Sequence, residues 1–206
     1  DLHNAESYSL SVSIAKGGFA GIESESNNST SAANALILGS PIKGQLNSSS
    51  DIDFYKFTAS DSGEVSIIFN TPTDDAAYDY FELKLYDERN KELGAFKTGK
   101  NLTESLGISA AGTYYIKVEG GFFHDTGEYS LSASLSSAGS TGFEFESNNS
   151  YSTANNLALG IPIKGHLSSY TDVDYYKITA SESGELSITL NTPTNTYSSQ
   201  ESFNFR

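Results

Sequence analysis

The sequence predicts an all-β protein, an antiparallel β-sandwich of jelly-roll-like form repeated in tandem. Three observations carry that expectation. Short segments alternate apolar and polar residues with the period of two that marks half-buried strands. Turn-forming clusters separate those segments at intervals that suit a sandwich. The chain also repeats itself at a fixed offset, which makes one supersecondary plan serve twice.

In chain order, residues 1–16 read as the final strand of a preceding repeat, with Tyr8, Leu10, Val12 and Ile14 on one side. Residues 17–22 are Gly-rich and read as a linker. Residues 23–136 read as one complete sandwich. A helical turn is expected near 31–36, then an apolar strand over 54–57. Val65, Ile67 and Phe69 define the next strand, between turns at 60–63 and 70–73. Phe81, Leu83 and Leu85 define another, closed by Asp87-Glu88-Arg89-Asn90. After the turn at 110–112 come Tyr114, Ile116 and Val118, and then Tyr129, Leu131, Ala133 and Leu135. Residues 137–142 form a second linker, and 143–206 read as the first half of another repeat.

The repeat is direct. A shift of about 121 residues lays 3–74 on 124–195 with roughly 42 of about 72 positions identical. Glu23-Ser24-Glu25-Ser26-Asn27-Asn28-Ser29 returns as Glu144-Phe145-Glu146-Ser147-Asn148-Asn149-Ser150. Pro41-Ile42-Lys43-Gly44 returns as Pro162-Ile163-Lys164-Gly165, and Asp51-Ile52-Asp53 as Asp172-Val173-Asp174. With Asp at position 1 and no Met, the chain reads as a window cut from a longer array.

Composition narrows the function classes. The 206 residues carry 12 Lys and Arg against 26 Asp and Glu, a formal charge of −14. Nucleic acid and anionic membrane surfaces call for a basic face, so neither is an expected partner. No apolar run approaches the ~20 residues of a membrane-spanning helix, so no membrane insertion is expected. The absence of Cys rules out disulfides, a thiol nucleophile and Cys-ligated zinc. An acidic surface suits solubility or a divalent cation.

The acidic residues are patterned. Glu23, Glu25 and Asn27 are spaced so that an extended backbone puts their side chains on one side, with Asn28 next to them. Asp51 and Asp53 share a side in the same way. Where the two segments meet, four carboxylates converge with amide oxygens, and such a group repels itself without a cation. Hard oxygen donors in that number suit Ca²⁺, whereas Mg²⁺ keeps more water and takes fewer protein ligands. The second copy repeats the set as Glu144, Glu146, Asn148, Asn149, Asp172 and Asp174 while neighbours such as Ser24 and Phe145 differ. The spacing is not that of an EF-hand, since Asp51-Ile52-Asp53 runs on into Phe54-Tyr55-Lys56.

Taken together, Glu-x-Glu-x-Asn-Asn-Ser, Pro-Ile-x-Gly, Asp-x-Asp-x-Tyr and Gly112-Thr113-Tyr114-Tyr115-Ile116-Lys117-Val118 with Tyr129-Ser130-Leu131 resemble the bacterial pre-peptidase C-terminal domain family. The resemblance spans 23–136 and the matching part of 143–206. It implies a jelly-roll-like sandwich of the kind carried by secreted proteases and surface proteins. The related collagen-binding domains of clostridial collagenases hold Ca²⁺ through the equivalents of Glu23, Glu25, Asn27, Asn28, Asp51 and Asp53. Collagen binding itself does not transfer. Those relatives place exposed aromatics after their Tyr-Tyr, where this chain has Lys117-Val118-Glu119-Gly120-Gly121.

Other motifs read as structure. Asp125-Thr126-Gly127 matches an aspartic-protease triplet, but the other copy has Asn4-Ala5-Glu6 and a turn explains it better. His3 and His124 are equivalent lone histidines, and His166 replaces Gln45. No residue is assigned a catalytic role. The expected function is a non-catalytic, Ca²⁺-stabilised module of a secreted or cell-surface bacterial protein, acting as spacer, adhesion or fibre-assembly unit. The alternative is an accessory substrate-binding domain of an extracellular hydrolase such as a protease. Expected partners are an extracellular protein or polysaccharide, and a second copy added head-to-tail through strand addition, with residues 10–14 as the donated strand.

Overall fold

The computed structural model describes residues 21–122, 125–137, 142–169 and 171–192. The proposed strand at 1–16, with its donated segment 10–14, lies outside the described residues, as do most of both linkers.

The described structure is almost wholly β. After a 3-10 turn at Thr30–Ala32 come β1 (Asn34–Ala35), β2 (Ile42–Gly44), β3 (Ile52–Ala59), β4 (Gly63–Asn70), β5 (Phe81–Tyr86) and β6 (Glu92–Thr98). They are followed by β7 (Leu102–Ile108), β8 (Gly112–Gly120), β9 (Tyr129–Ser136), β10 (Asn155–Asn156) and β11 (Tyr176–Lys177). One sheet runs β1-β3-β8-β5-β6 and the facing sheet β2-β9-β4-β7. Apart from the short parallel pair β1–β3, neighbours within these sheets are antiparallel. The helical turn expected over 31–36 is shorter than read, because Asn34 is already paired with Tyr55.

The alternation holds where it was legible. Val65, Ile67 and Phe69 on β4 face Phe81, Leu83 and Leu85 on β5, and all six are buried. Phe69 packs on Phe81 with ring centroids 5.1 Å apart and on Tyr129 at 5.0 Å, and Phe57 stacks on Tyr114 at 5.6 Å. Each such side chain contributes about 1.5–3 kcal/mol by leaving water. On β3 the inward row continues from Ala59, Phe57 and Tyr55 to Asp53 and, just before the strand, Asp51. The period of two that builds the core therefore carries two carboxylates to its rim.

The second copy begins with the same plan. Asn155 pairs with Tyr176 in parallel, the register of Asn34 with Tyr55. Among the described residues no strand follows β11. Leu186, Ile188 and Leu190 stand 55%, 48% and 56% exposed, whereas their counterparts Val65, Ile67 and Phe69 are at most 1% exposed.

Candidate metal centre

The lead-in segment before β1 crosses the end of the sandwich above the rim of β3. It is held there by main-chain bonds from Glu23 N to Lys43 O and from Phe54 N to Asn27 O, at 2.9 and 3.0 Å, and the equivalent bonds from Glu144 N to Lys164 O and from Tyr175 N to Asn148 O recur in the second copy. Asn34 fastens the segment from the other side, its amide bonded to both backbone groups of Ser24. Asn155 does the same for Phe145. The Glu25–Ser26 and Glu146–Ser147 peptides are both cis.

This path brings Glu23, Glu25 and Asp53 together, each with a carboxylate oxygen within 4.8 Å of the others. Glu144, Glu146 and Asp174 form the equivalent group in the second copy. Asn27 and Asn148 are fully buried beside them, donating through Nδ2 to Glu23 Oε2 at 3.2 Å and to Glu144 Oε2 at 3.1 Å. Asp51 is also buried but is taken up by the loop, accepting from Asn47 N at 2.7 Å and Ile52 N at 3.0 Å. Asp172 accepts from Ser168 N, Val173 N and Asn149 Nδ2. Asn28 is exposed and lines an open cleft with Phe54 and Tyr86, outside the carboxylate group.

The tyrosines behind the carboxylates carry a role that strand alternation alone does not reveal. Tyr55 donates to Glu23 Oε2 at 2.5 Å, Tyr129 donates to Asp53 Oδ2, and the two hydroxyls lie 2.7 Å apart. With both hydroxyl protons given to carboxylates the contact between the hydroxyls has none, so it closes only when one of the two carboxyls is protonated and donates to its tyrosine instead, freeing that hydroxyl proton for the other. Tyr176 repeats the Tyr55 contact on Glu144 at 2.5 Å. The signal was in the sequence as the Tyr that follows Asp-x-Asp at the same period in both copies. Gly44 has to be Gly because a methyl there would run into the Tyr55 hydroxyl and the Tyr129 ring.

Electrostatics mark the site as short of positive charge. Burial pushes the Asp53 carboxyl up to about 8, and Glu23, Asp51 and Glu25 add to the rise against the Tyr129 hydrogen bond. Glu23 is raised as well, chiefly by burial. In the second copy burial carries Asp174 to about 8 and Glu146 to about 7, the latter offset in part by Lys91. Among the described residues, the buried side-chain oxygens without a hydrogen-bond partner are Asn27 Oδ1, Asp53 Oδ1, Glu146 Oε1, Asn148 Oδ1 and Asp174 Oδ1. All belong to these two clusters. A buried oxygen left without a donor costs about 1–3 kcal/mol, and a cation is the partner an oxygen-only set accepts. The residues present therefore fit a hard divalent cation, and Glu23, Glu25, Asp53 and Asn27 could hold it.

Fold and site together define an all-β sandwich domain with an acidic, oxygen-only cluster at its lead-in end, the cluster being built twice in one chain. No family model matches the sequence. Among solved structures, the chain is similar to the pre-peptidase C-terminal domain of a collagenase from Bacillus anthracis. Identity is 21%, coverage 49% of this chain and 93% of that one, and the TM-score 0.41. It is also similar to a Yersinia pseudotuberculosis-derived mitogen, at 16% identity over 43% of this chain and 89% of that one, with a TM-score of 0.27. No helix among the described residues is long and apolar enough to cross a membrane.

Proposed function

We propose that this chain is a non-catalytic, Ca²⁺-stabilised module of a secreted or cell-surface protein, serving as a spacer, adhesion or assembly unit. The observation that carries the reading is the set of orphaned buried oxygens, which recur on Asn27 and Asp53 in one copy and on Asn148 and Asp174 in the other. The ligands are Glu23, Glu25, Asn27 and Asp53, and their counterparts Glu144, Glu146, Asn148 and Asp174. Asp51 and Asp172 shape the loops behind them, and Asn28 and Asn149 flank the lead-in segment. Ca²⁺ is favoured over Mg²⁺ because the donors are many, mixed and partly on a loop, whereas Mg²⁺ demands a rigid octahedron. Ligands that must give up protons at near-neutral pH make a weak site, suited to the 10⁻⁴–10⁻³ M affinities typical of extracellular modules. Thermal unfolding in chelator and in millimolar Ca²⁺ tests the reading. Ca²⁺ should raise the melting temperature, and Mg²⁺ should do so much less. Equal melting in chelator and Ca²⁺ refutes it.

A further inference from the structure

Both sheets end on the same side of the sandwich, at β6 and β7. Strand edges there are open to pairing with another segment. The lead-in of the second copy lies against them, with Phe145 bridged to Gly107 in parallel. Gly107 faces outward between buried Leu106 and Ile108, so the core places no demand on it. A methyl at this position would overlap the Glu144 carbonyl oxygen and press on the Phe145 ring. The missing side chain is thus a seat for an approaching backbone. On β6, the His166 ring packs on Phe96 with centroids 4.6 Å apart, and its Nε2 lies 3.1 Å from Ala95 O.

Three positions at which the copies differ fall at this joint: Ile22 becomes Phe143, Ser24 becomes Phe145 and Gln45 becomes His166. In the first copy Gln45 turns instead to its own sandwich and donates to Thr126 O. The differences place larger, aromatic side chains where the second copy meets β6 and β7. Glu144 is correspondingly 5% exposed, while Glu23 is only half-buried.

We propose that the β6–β7 edge is a docking socket for the lead-in segment of the following copy, seated by Gly107 and matched by Phe145 and His166, so that consecutive copies hold one mutual orientation. Docking is made by backbone and ring contacts and stands apart from ion binding, although Glu144 takes part in both. The chain lacks Cys, so spin labels on Thr58→Cys and Leu159→Cys report the distance across the joint in the full chain. In chelator the parent should give a single narrow distance. Gly107→Val should lose it while the sandwich still melts cooperatively, and His166→Gln should broaden it with melting unchanged. A broad distribution in the parent, or a narrow one retained in both variants, overturns the proposal. Should Gly107→Val fail to fold, His166→Gln alone decides in the same way. Failure of Ca²⁺ binding would leave these outcomes untouched.

Discussion

Asp53 is the residue on which most of the chemistry turns. It ends the core-facing row of β3, is fully buried, and carries an oxygen with no partner. Its carboxyl rises from an ordinary 3.8 to about 8, as does that of Asp174. A carboxyl raised in the folded state holds its proton more tightly there than in the unfolded chain. Stability in chelator should therefore be greatest below about pH 4 and fall as pH rises to about 8. Denaturant titrations across that range check the sign, and Asp53→Asn with Asp174→Asn should flatten the slope. With Ca²⁺ present the trend should reverse, since the metal competes with the protons. Tyr55→Phe removes the donor to Glu23 and should cost about 1–3 kcal/mol in chelator, read from the shift in denaturant midpoint. The carboxylate spacing was legible because period two is visible in any extended segment. The tyrosines were not, since a Tyr on a core row looks like packing until its hydroxyl is located.

Among the elements, β4, β5, β8 and β9 are legible from alternation because each buries one face only, and β3 is legible as the apolar run 54–57. Strands β6 and β7 could not. On β6, Leu93 and Gly94 are both buried, and the pairing with β5 shifts register between Leu85 and Tyr86. That irregularity breaks the period. On β7 only Leu106 and Ile108 are buried, since the strand lies at a sheet edge. Core strands should dominate stability: Phe69→Ala, which empties the contact with Phe81 and Tyr129, should cost about 3–5 kcal/mol by denaturant unfolding. Gly44→Ala should destabilise as well, through the clash with both tyrosines, and should weaken any ion response because those hydroxyls orient Glu23 and Asp53.

At the scale of the whole molecule, the described residues complete one sandwich and hold the opening segments of a second copy of its plan. The apolar row Leu186, Ile188 and Leu190 is half exposed, and such a row seeks cover. Association that grows with concentration is expected by light scattering, and Ile188→Lys should suppress it. An unchanged mass at every concentration argues against self-association through this row. The duplicated cluster was visible in the sequence as a repeat of spacing, whereas the joint between copies was not, because its residues are the ones at which the copies differ. The central claim is that each cluster holds one Ca²⁺, and calorimetric titration of the full chain with Ca²⁺ tests it most directly. Two ions should bind per chain, falling to one in Asp53→Ala and to one in Asp174→Ala. No heat of binding at millimolar Ca²⁺, or a stoichiometry that neither substitution changes, would contradict it.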